Sequence, residues 1–504
     1  MSNLSSSKSK CRVAVIGAGI GGLTAGALLA HRGYSVLVLD QALVPGGCAS
    51  TFKRRGFIFD VGATQVAGLE PGGIHHRIFS ELSIDLPAAS PCDPACAVYL
   101  PGESTPINVW RDPQKWREER QRQFPGSEGF WQMMGVLFEA SWEFQGRDPV
   151  LPPRNWWDLW QLTRAVRPGT LITVPYALFT VGDALRLYGL GNNERLRRFL
   201  DLQLKLYSQV SAEETALLYA ATALSVSQLP QGLFHLEGSM QVLSDRLVES
   251  LVRDGGKLLM RHTVEEIKVE NNKATAVVVR NQKTGEISTE VVDHVVANVT
   301  VQNLVQLLGE KAPCGYKNRV EKLPLASGAF VVYLGVDESA IPVGCPPHLQ
   351  FLYDVDGPIG ENNSLFVSVS RPGDGRAPEG KATIIASSFV DPGPWWETEN
   401  YPELKQKYTE DAIARLSEYF YLKPETIIHQ EAATPRSFAH YTGRDRGIVG
   451  GIGQRVPTFG PFGFANRTPI DHLWLVGDST HPGEGTAGVS YSALTVVRQI
   501  EVEG

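Results

Sequence analysis

The stretch RVAVIGAGIGGLTAGALLAHRGYSVLVLD, Arg12–Asp40, decides how the chain is read. Arg12–Ile16 is a short apolar run rich in β-branched residues, as a buried parallel strand requires. Gly17, Gly19 and Gly22 then form G-x-G-x-x-G. Leu23–His31 follows with helical apolar spacing, Gly33 stops it, and Tyr34–Leu39 reads as a second strand ending at Asp40. A bare glycine triplet means little. Between a strand and a helix, with an acidic residue about 20 positions on, it reads as a dinucleotide fingerprint. Gly17 is expected to make the tight turn and Gly19 to let the backbone approach a pyrophosphate. Gly22 is expected to let the helix pack close to the sheet. The free N–H groups of the helix start suit phosphate, and Asp40 can accept hydrogen bonds from a ribose diol. NAD and FAD both remain open at this point.

The next stretch has the same character. Gly46 and Gly47, in PGGCAS (Pro45–Ser50), allow the chain close to a cofactor. Phe57, Phe59 and Val61 alternate as in a strand, and Arg54 or Arg55 can neutralise phosphate charge. At the other end of the chain, Asp471–Val476 reads as a strand running into GDSTHPGEGTAGV (Gly477–Val489) and then a helix, Ser490–Ile500. Asp478 can bind a hydroxyl of a ribityl-like chain. The amides near Gly488 and Val489 can face an electron-rich ring carbonyl. A third piece lies mid-chain: a helix Gln241–Arg253, then strands Lys257–Met260, Thr263–Val269 and Ala274–Arg280. There Val264 can place its backbone against an adenine. Glu290–Ala297 reads as one further strand leading to Asn298. If both ends serve one cofactor, the domains are interleaved.

The 504 residues exceed the roughly 250–300 at which a single core stops growing, so at least two domains are expected. A net charge of -7 gives no general bias toward nucleic acid. The six cysteines are thinly spread and the start, Met1–Lys10, is polar without a signal-peptide pattern, which suits reduced cytoplasmic thiols. Cys92 and Cys96 form an isolated C-x3-C, and no metal site is expected. No apolar run reaches the roughly 18 residues of a membrane span. The nearest is GTLITVPYALFTVG, Gly169–Gly182, which suits either a buried segment or a monotopic membrane contact.

Together, VAVIGAGIGGLTAGALLAHRGYSVLVLD (Val13–Asp40), PGGCAS, FKRRGFIFDVGAT (Phe52–Thr64), LEGSMQVLSDRL (Leu236–Leu247) and LWLVGDSTHPGEGTAGV (Leu473–Val489) resemble the phytoene desaturase and carotenoid isomerase family, within the amine oxidase-like flavoproteins. DVGAT and GDSTHPG look closest to the cyanobacterial and plant branch. His75–Asp85 and Pro91–Glu103 look most like its cyanobacterial C-3',4' desaturases. The resemblance implies an α/β fold: a Rossmann-like FAD-binding domain interleaved with a substrate domain of mixed sheet and helices. The first would comprise residues 1–85, 235–301 and 434–504, and the second 86–234 and 302–433. It implies non-covalent FAD, since the terminal helix has no cysteine. Gly17, Gly19, Gly22 and Asp40 would hold its ADP half. Gly46 and Gly47 would run beside the approach to the isoalloxazine, Val264 beside adenine, Asp478 beside the ribityl–pyrophosphate region, and Gly488 and Val489 beside the ring.

In the substrate domain, Leu137–Phe144, Asn155–Val166, Leu196–Tyr207 and Ala212–Leu224 look helical, and the stretch is rich in tryptophan. Ala329–Gly335, Phe351–Asp354, Ser364–Ser370 and Lys381–Phe389 look like strands. A polyene has no ionisable handle, so apolar burial must bind it, at about 0.8 kcal/mol per CH2 relative to water. Its extraction from a bilayer calls for a membrane-facing tunnel mouth. Gly169–Gly182, with Trp156, Trp157 and Trp160 as interfacial anchors, is the candidate. The family reading expects peripheral or monotopic contact with the cytoplasmic side of a thylakoid or plasma membrane. It expects hydride transfer to flavin and reoxidation by a quinone or oxygen. No catalytic residue stands out; His481 and Glu484, in the terminal loop, are candidates for proton handling. The first reading is a desaturase that introduces the C-3',4' double bond of a monocyclic carotene, with or without a 1'-hydroxyl, in myxol-type carotenoid synthesis. A carotenoid cis–trans isomerase of prolycopene type, a soluble flavin amine oxidase, and a non-enzymatic lipid carrier on the same scaffold are the alternatives.

Overall fold

The computed structural model describes residues 11–503, so the polar start Met1–Lys10 lies outside the described residues. Arg12–Ile16 is the central strand of a five-stranded sheet in which every neighbouring pair is parallel. Its order is Leu473–Leu475, His294–Ala297, Arg12–Ile16, Ser35–Asp40, Lys257–Met260. Three distant parts of the chain therefore share one sheet, as interleaving requires. Helices Ile20–His31, Gln241–Arg253 and Thr486–Glu501 cover one face through Leu28, Leu247 and Val496. The antiparallel hairpin sheet His262–Glu270, Lys273–Asn281, Ile287–Val291 covers the other.

A second, seven-stranded sheet runs Ile427–Ala433, Gly328–Asp337, Lys381–Val390, Ser364–Val369, His348–Leu352, Cys96–Tyr99, Ile107–Val109. It is mixed, because Cys96–Tyr99 joins His348–Leu352 in parallel while its other pairs are antiparallel. Helices Glu128–Gln145, Glu194–Ser208 and Leu217–Ser225 form a separate core beside it, around Met134, Phe199 and Leu217.

Some boundaries differ from the sequence reading. Glu290–Ala297 is two strands of two sheets, Ile287–Val291 and His294–Ala297, broken at Val292–Asp293. The carboxylate of Asp293 accepts from the Arg12 amide at 2.7 Å and turns the chain between them. Residues 302–321, assigned to the substrate unit, instead pack on the dinucleotide domain: Leu304, Leu308 and Val320 share a core with Ile16 and Val295. Conversely, the hairpin Thr51–Arg54/Phe57–Asp60 seats Phe57 and Phe59 beneath the second sheet, against Val331 and Tyr333. The helix expected from Ala212 starts only at Leu217; Thr215 and Ala216 instead bridge to Arg455 and Thr180. Helix Pro113–Gln123 has no apolar period, because it is polar on nearly every face.

A buried ionic cluster fastens the two domains. Arg376 donates to Asp60 Oδ2 at 3.1 Å and to the Leu236 carbonyl at 2.7 Å, while Asp60 Oδ1 accepts from the Met240 amide at 2.8 Å. Asp374 accepts from the Arg376 amide at 3.0 Å, and its other oxygen is 3.0 Å from His235 Nε2. Removing one partner of a buried pair leaves the other charge uncompensated. Arg376→Met is therefore expected to destabilise the protein by about 3–5 kcal/mol in denaturant unfolding.

A cofactor cradle continuous with an apolar channel

One cavity of about 1240 Å3 runs between the two domains. Its first half is lined by Gly17, Gly19, Asp40, Gly46, Gly47, Val264, Asp478, Gly488 and Val489, so these sequence candidates come together. Two helix starts meet there. Ile20–His31 has Gly19 as its N-cap and Thr486–Glu501 has Gly485, and neither receives a side-chain cap or an acidic first-turn residue. Such ends carry unmet N–H donors and partial positive charge. In the second helix the Val489 amide already donates to the Gly485 carbonyl at 3.0 Å. The free donors there are thus those of the first turn, Thr486–Gly488, rather than the Val489 amide.

Close approach is built into the cradle. Gly17 has φ +95°, and Gly46 has φ +117° with its amide donating to the Ala18 carbonyl at 2.7 Å. Gly22 lies outside the cavity wall and serves packing, since a Cβ there would lie 2.0 Å from the Gly17 carbonyl oxygen. Asn298, at the end of strand His294–Ala297, lies directly beneath Gly17, Gly19, Gly21 and Gly22. Asp40 Oδ2 accepts from the Ala18 amide at 2.6 Å and Oδ1 from the Ala42 amide at 2.7 Å. Each oxygen keeps a second lone pair for a diol. Burial pushes its carboxyl pKa up, against those two amides.

Arg54 is not part of this wall. The hairpin alternation turns it outward, where it is half-exposed and lies 3.2 Å from Glu431. Two arginines line the cavity instead, Arg77, paired with Asp148, and Arg444, which is half-buried and donates to Asp478 Oδ2 at 2.7 Å and to the Ile448 carbonyl at 2.7 Å. Asp478 sits 34 residues away in sequence, so no local motif announces the pair.

The second half of the cavity is mainly apolar. Leu151, Leu162, Val166, Tyr207, Leu218 and Val226 are among its lining. Polar groups gather where the halves meet. Glu484 Oε2 accepts from Gln209 Nε2 at 3.0 Å, while Glu484 Oε1 has no partner within the protein. Burial drives this carboxyl pKa well above the ordinary range. His481 lies 2.9 Å from Gln145 Oε1, and burial lowers its pKa to about 4, so its ring is neutral near pH 7. Among the described residues no cluster of metal-ligating side chains occurs, and all six cysteines are free.

The channel ends at the surface beside the Trp156–Ala165 helix and the 3-10 helix Pro168–Tyr176; Leu162, Val166, Thr170, Thr173 and Val174 all line it. Gly169–Gly182 is therefore not a buried segment. Val174 and Leu178 are 62% and 66% exposed, and Trp156 and Trp160 85% and 62%. Trp157 does not join them: it is half-buried, with Arg498 5.7 Å from its ring. No helix among the described residues is long and apolar enough to cross a membrane.

Comparison with known proteins agrees with this geometry. The model of an NAD(P)-binding Rossmann-like domain matches residues 15–82. The chain is 27% identical to chloroplastic prolycopene isomerase 1 of an Oncidium hybrid cultivar, over 97% of this chain and 83% of the relative. It is 25% identical to a zeta-carotene-forming phytoene desaturase of Myxococcus xanthus, over 99% of this chain and 95% of the relative. Its fold is similar to that of cyclohexylamine oxidase from Brevibacterium oxydans, with a TM-score of 0.63 at 17% identity, covering 98% and 100% of the two chains. Fold and relatives define the class, an enzyme of the flavin-dependent oxidoreductase kind. Its homologues include carotenoid desaturases and isomerases.

The cradle gives a matched pair of tests. Gly22→Ala is expected to lose dinucleotide binding, read as loss of bound yellow cofactor on purification. Gly135→Ala, in an open helical position with nothing within 4 Å of the added Cβ, is expected to keep it and gain about 0.5–1 kcal/mol.

Proposed function

We propose that the chain binds FAD non-covalently and acts on a membrane-borne carotenoid. The reaction we assign is introduction of the C-3',4' double bond into a monocyclic carotene, with or without a 1'-hydroxyl, in myxol-type carotenoid synthesis. The observation that carries the polyene reading is the single cavity, polar and glycine-lined at one end and apolar along the other, opening beside exposed apolar side chains. The residues fit FAD. Two uncapped helix starts suit a pyrophosphate and an electron-rich ring edge, Asp40 suits a ribose, and the Arg444–Asp478 pair suits the charge and hydroxyls between them.

When bound, FAD supplies the hydride acceptor that desaturation needs. The chain supplies position, dryness and proton handling. Leu218 and Val226 with their neighbours hold the polyene by dispersion and exclude water. Gln209 fixes one carboxyl oxygen of Glu484, leaving Oε1 to exchange a proton with the polyene. In desaturation that oxygen receives the proton lost from the carbon adjacent to the hydride donor, and a quinone or oxygen takes up the electrons afterwards. Peripheral contact with the cytoplasmic face of a thylakoid or plasma membrane gives the substrate its route in.

A second reading, cis–trans isomerisation without net redox change, has its own support. Burial favours the neutral form of Glu484, and a neutral carboxylic acid can lend a proton to a polyene and take it back. Prolycopene isomerases are also among the relatives. The amine oxidase reading rests on fold similarity alone. The carrier reading leaves the cradle without a purpose.

Two measurements decide. Holoprotein in liposomes is given a monocyclic hydroxylated carotene or poly-cis lycopene, with flavin oxidised or reduced. A product lighter by two hydrogens and red-shifted is expected; unchanged mass with altered retention makes it an isomerase. Failure with both substrates, with FAD bound, returns the amine oxidase reading.

The pH profile gives the sign independently. Glu484 as proton acceptor makes the rate rise with pH through its elevated pKa, and as proton donor makes it fall. Glu484→Gln is expected to lower turnover by about 100-fold or more while FAD stays bound. Because the folded protein holds this proton more tightly than the unfolded chain, wild-type stability falls as pH rises from the ordinary carboxylate range through that elevated value. The Gln variant should flatten the fall.

A further inference from the structure

The outward face of helix Trp156–Ala165 carries Trp156, Leu159, Trp160, Thr163 and Arg164, all exposed and spaced at helical intervals, while Asp158, Gln161 and Ala165 are buried. Arg154 precedes this stripe, Arg167 follows it, and both are exposed. The guanidinium groups of Arg154, Arg164 and Arg167 have no carboxylate within 4.0 Å among the described residues, although those of most arginines of the protein do. The acid within the segment is Asp158, which faces inward, fully buried, to Arg467 at 3.2 Å and Gln499 at 3.0 Å.

Carboxylates on flanking elements are engaged elsewhere: Asp148 with Arg77, Asp183 and Glu213 with Arg186, Glu214 with Arg455, and Glu503 with Arg467. Glu143 lies 3.7 Å from Arg147. Glu139, exposed on helix Glu128–Gln145, forms no ion pair within 4.0 Å among the described residues. A chain of net charge -7 thus presents unpaired positive charge around its exposed apolar face.

We infer that this face docks on an anionic phospholipid bilayer, with Arg154, Arg164 and Arg167 selecting the headgroup charge. This rests on the membrane contact proposed above and adds its lipid class. Apolar side chains enter the interface in any bilayer. Arginine stems can lie along them while the guanidinium groups stay at the phosphate level. Each such cation adds roughly fivefold in affinity for a negatively charged leaflet, and the contribution is screened by salt. The overall negative charge of the protein opposes this binding elsewhere, so it also orients the molecule with the channel mouth toward lipid.

The test is flotation of flavin-loaded full-length protein with two kinds of vesicle, phosphatidylcholine alone and phosphatidylcholine mixed with phosphatidylglycerol, at low and high salt. Wild type is expected to bind the anionic vesicles about 100-fold more tightly at low salt, with the preference shrinking as salt rises. Arg154→Gln/Arg164→Gln/Arg167→Gln is expected to lose the preference yet retain its flavin and its binding to neutral vesicles. Trp156→Ser/Trp160→Ser is expected to weaken binding to both. Equal wild-type binding to the two vesicle types overturns the headgroup assignment and leaves the membrane reading standing. A preference that survives in the triple variant overturns the assignment to these arginines. Binding to neither vesicle, with flavin retained, overturns the membrane contact itself.

Discussion

Two helix N-termini, those of Ile20–His31 and Thr486–Glu501, open without caps onto one cavity, and the rest of the architecture follows from that shared demand. Unmet backbone donors at a buried helix end cost free energy unless a ligand or solvent satisfies them. Bringing both ends to one place requires the first and last strands of the domain to lie in one sheet. The parallel register Val13–His294 and Val295–Leu473 achieves this, with strand His294–Ala297 between them. The same strand delivers Asn298 beneath the glycine turn, where its carbonyl leaves no room for a Cβ at Gly17, while the Gly17 carbonyl excludes one at Gly22.

The dinucleotide end was legible in sequence because it is governed by local backbone constraints. A strand, a glycine turn, a helix and an acidic strand end must follow one another closely, and each leaves a residue signature. The helix Gln241–Arg253 and strand Lys257–Met260 fall where the apolar period puts them. What escaped is tertiary. The Arg444–Asp478 pair joins two loops, so Arg54, nearer the fingerprint, looks equally suited to phosphate until hairpin alternation turns it to solvent. Helix Pro113–Gln123 shows no amphipathic pattern, because it buries little beyond Trp116, Glu119 and Gln123. Residues 302–321 sit between segments of both domains in sequence, and only packing decides which core they join.

The channel mouth is held to the cofactor end by buried polar ties. Asp158, on the inner face of the Trp156–Ala165 helix, accepts from Arg467 and Gln499, and Arg498 donates to Gln161 at 2.8 Å. Gln499 and Arg498 belong to the helix whose first turn lines the cofactor cradle. One rigid element thus spans from the cradle to the exposed Trp156–Ala165 helix. Channel and cradle are fixed relative to each other by hydrogen bonds in a dry environment, where their geometry is costly to distort.

The central claim is that cofactor and polyene share one continuous space. The most direct measurement is the flavin absorbance of holoprotein mixed anaerobically with vesicle-borne carotenoid, comparing wild type with Ala223→Trp, which places an indole in the apolar half of the channel. The account predicts that the polyene changes the flavin spectrum of wild type, and that the plugged variant keeps its flavin and shows no change. An equal response from both proteins would mean that the polyene reaches the flavin by another route, and the shared channel would be wrong.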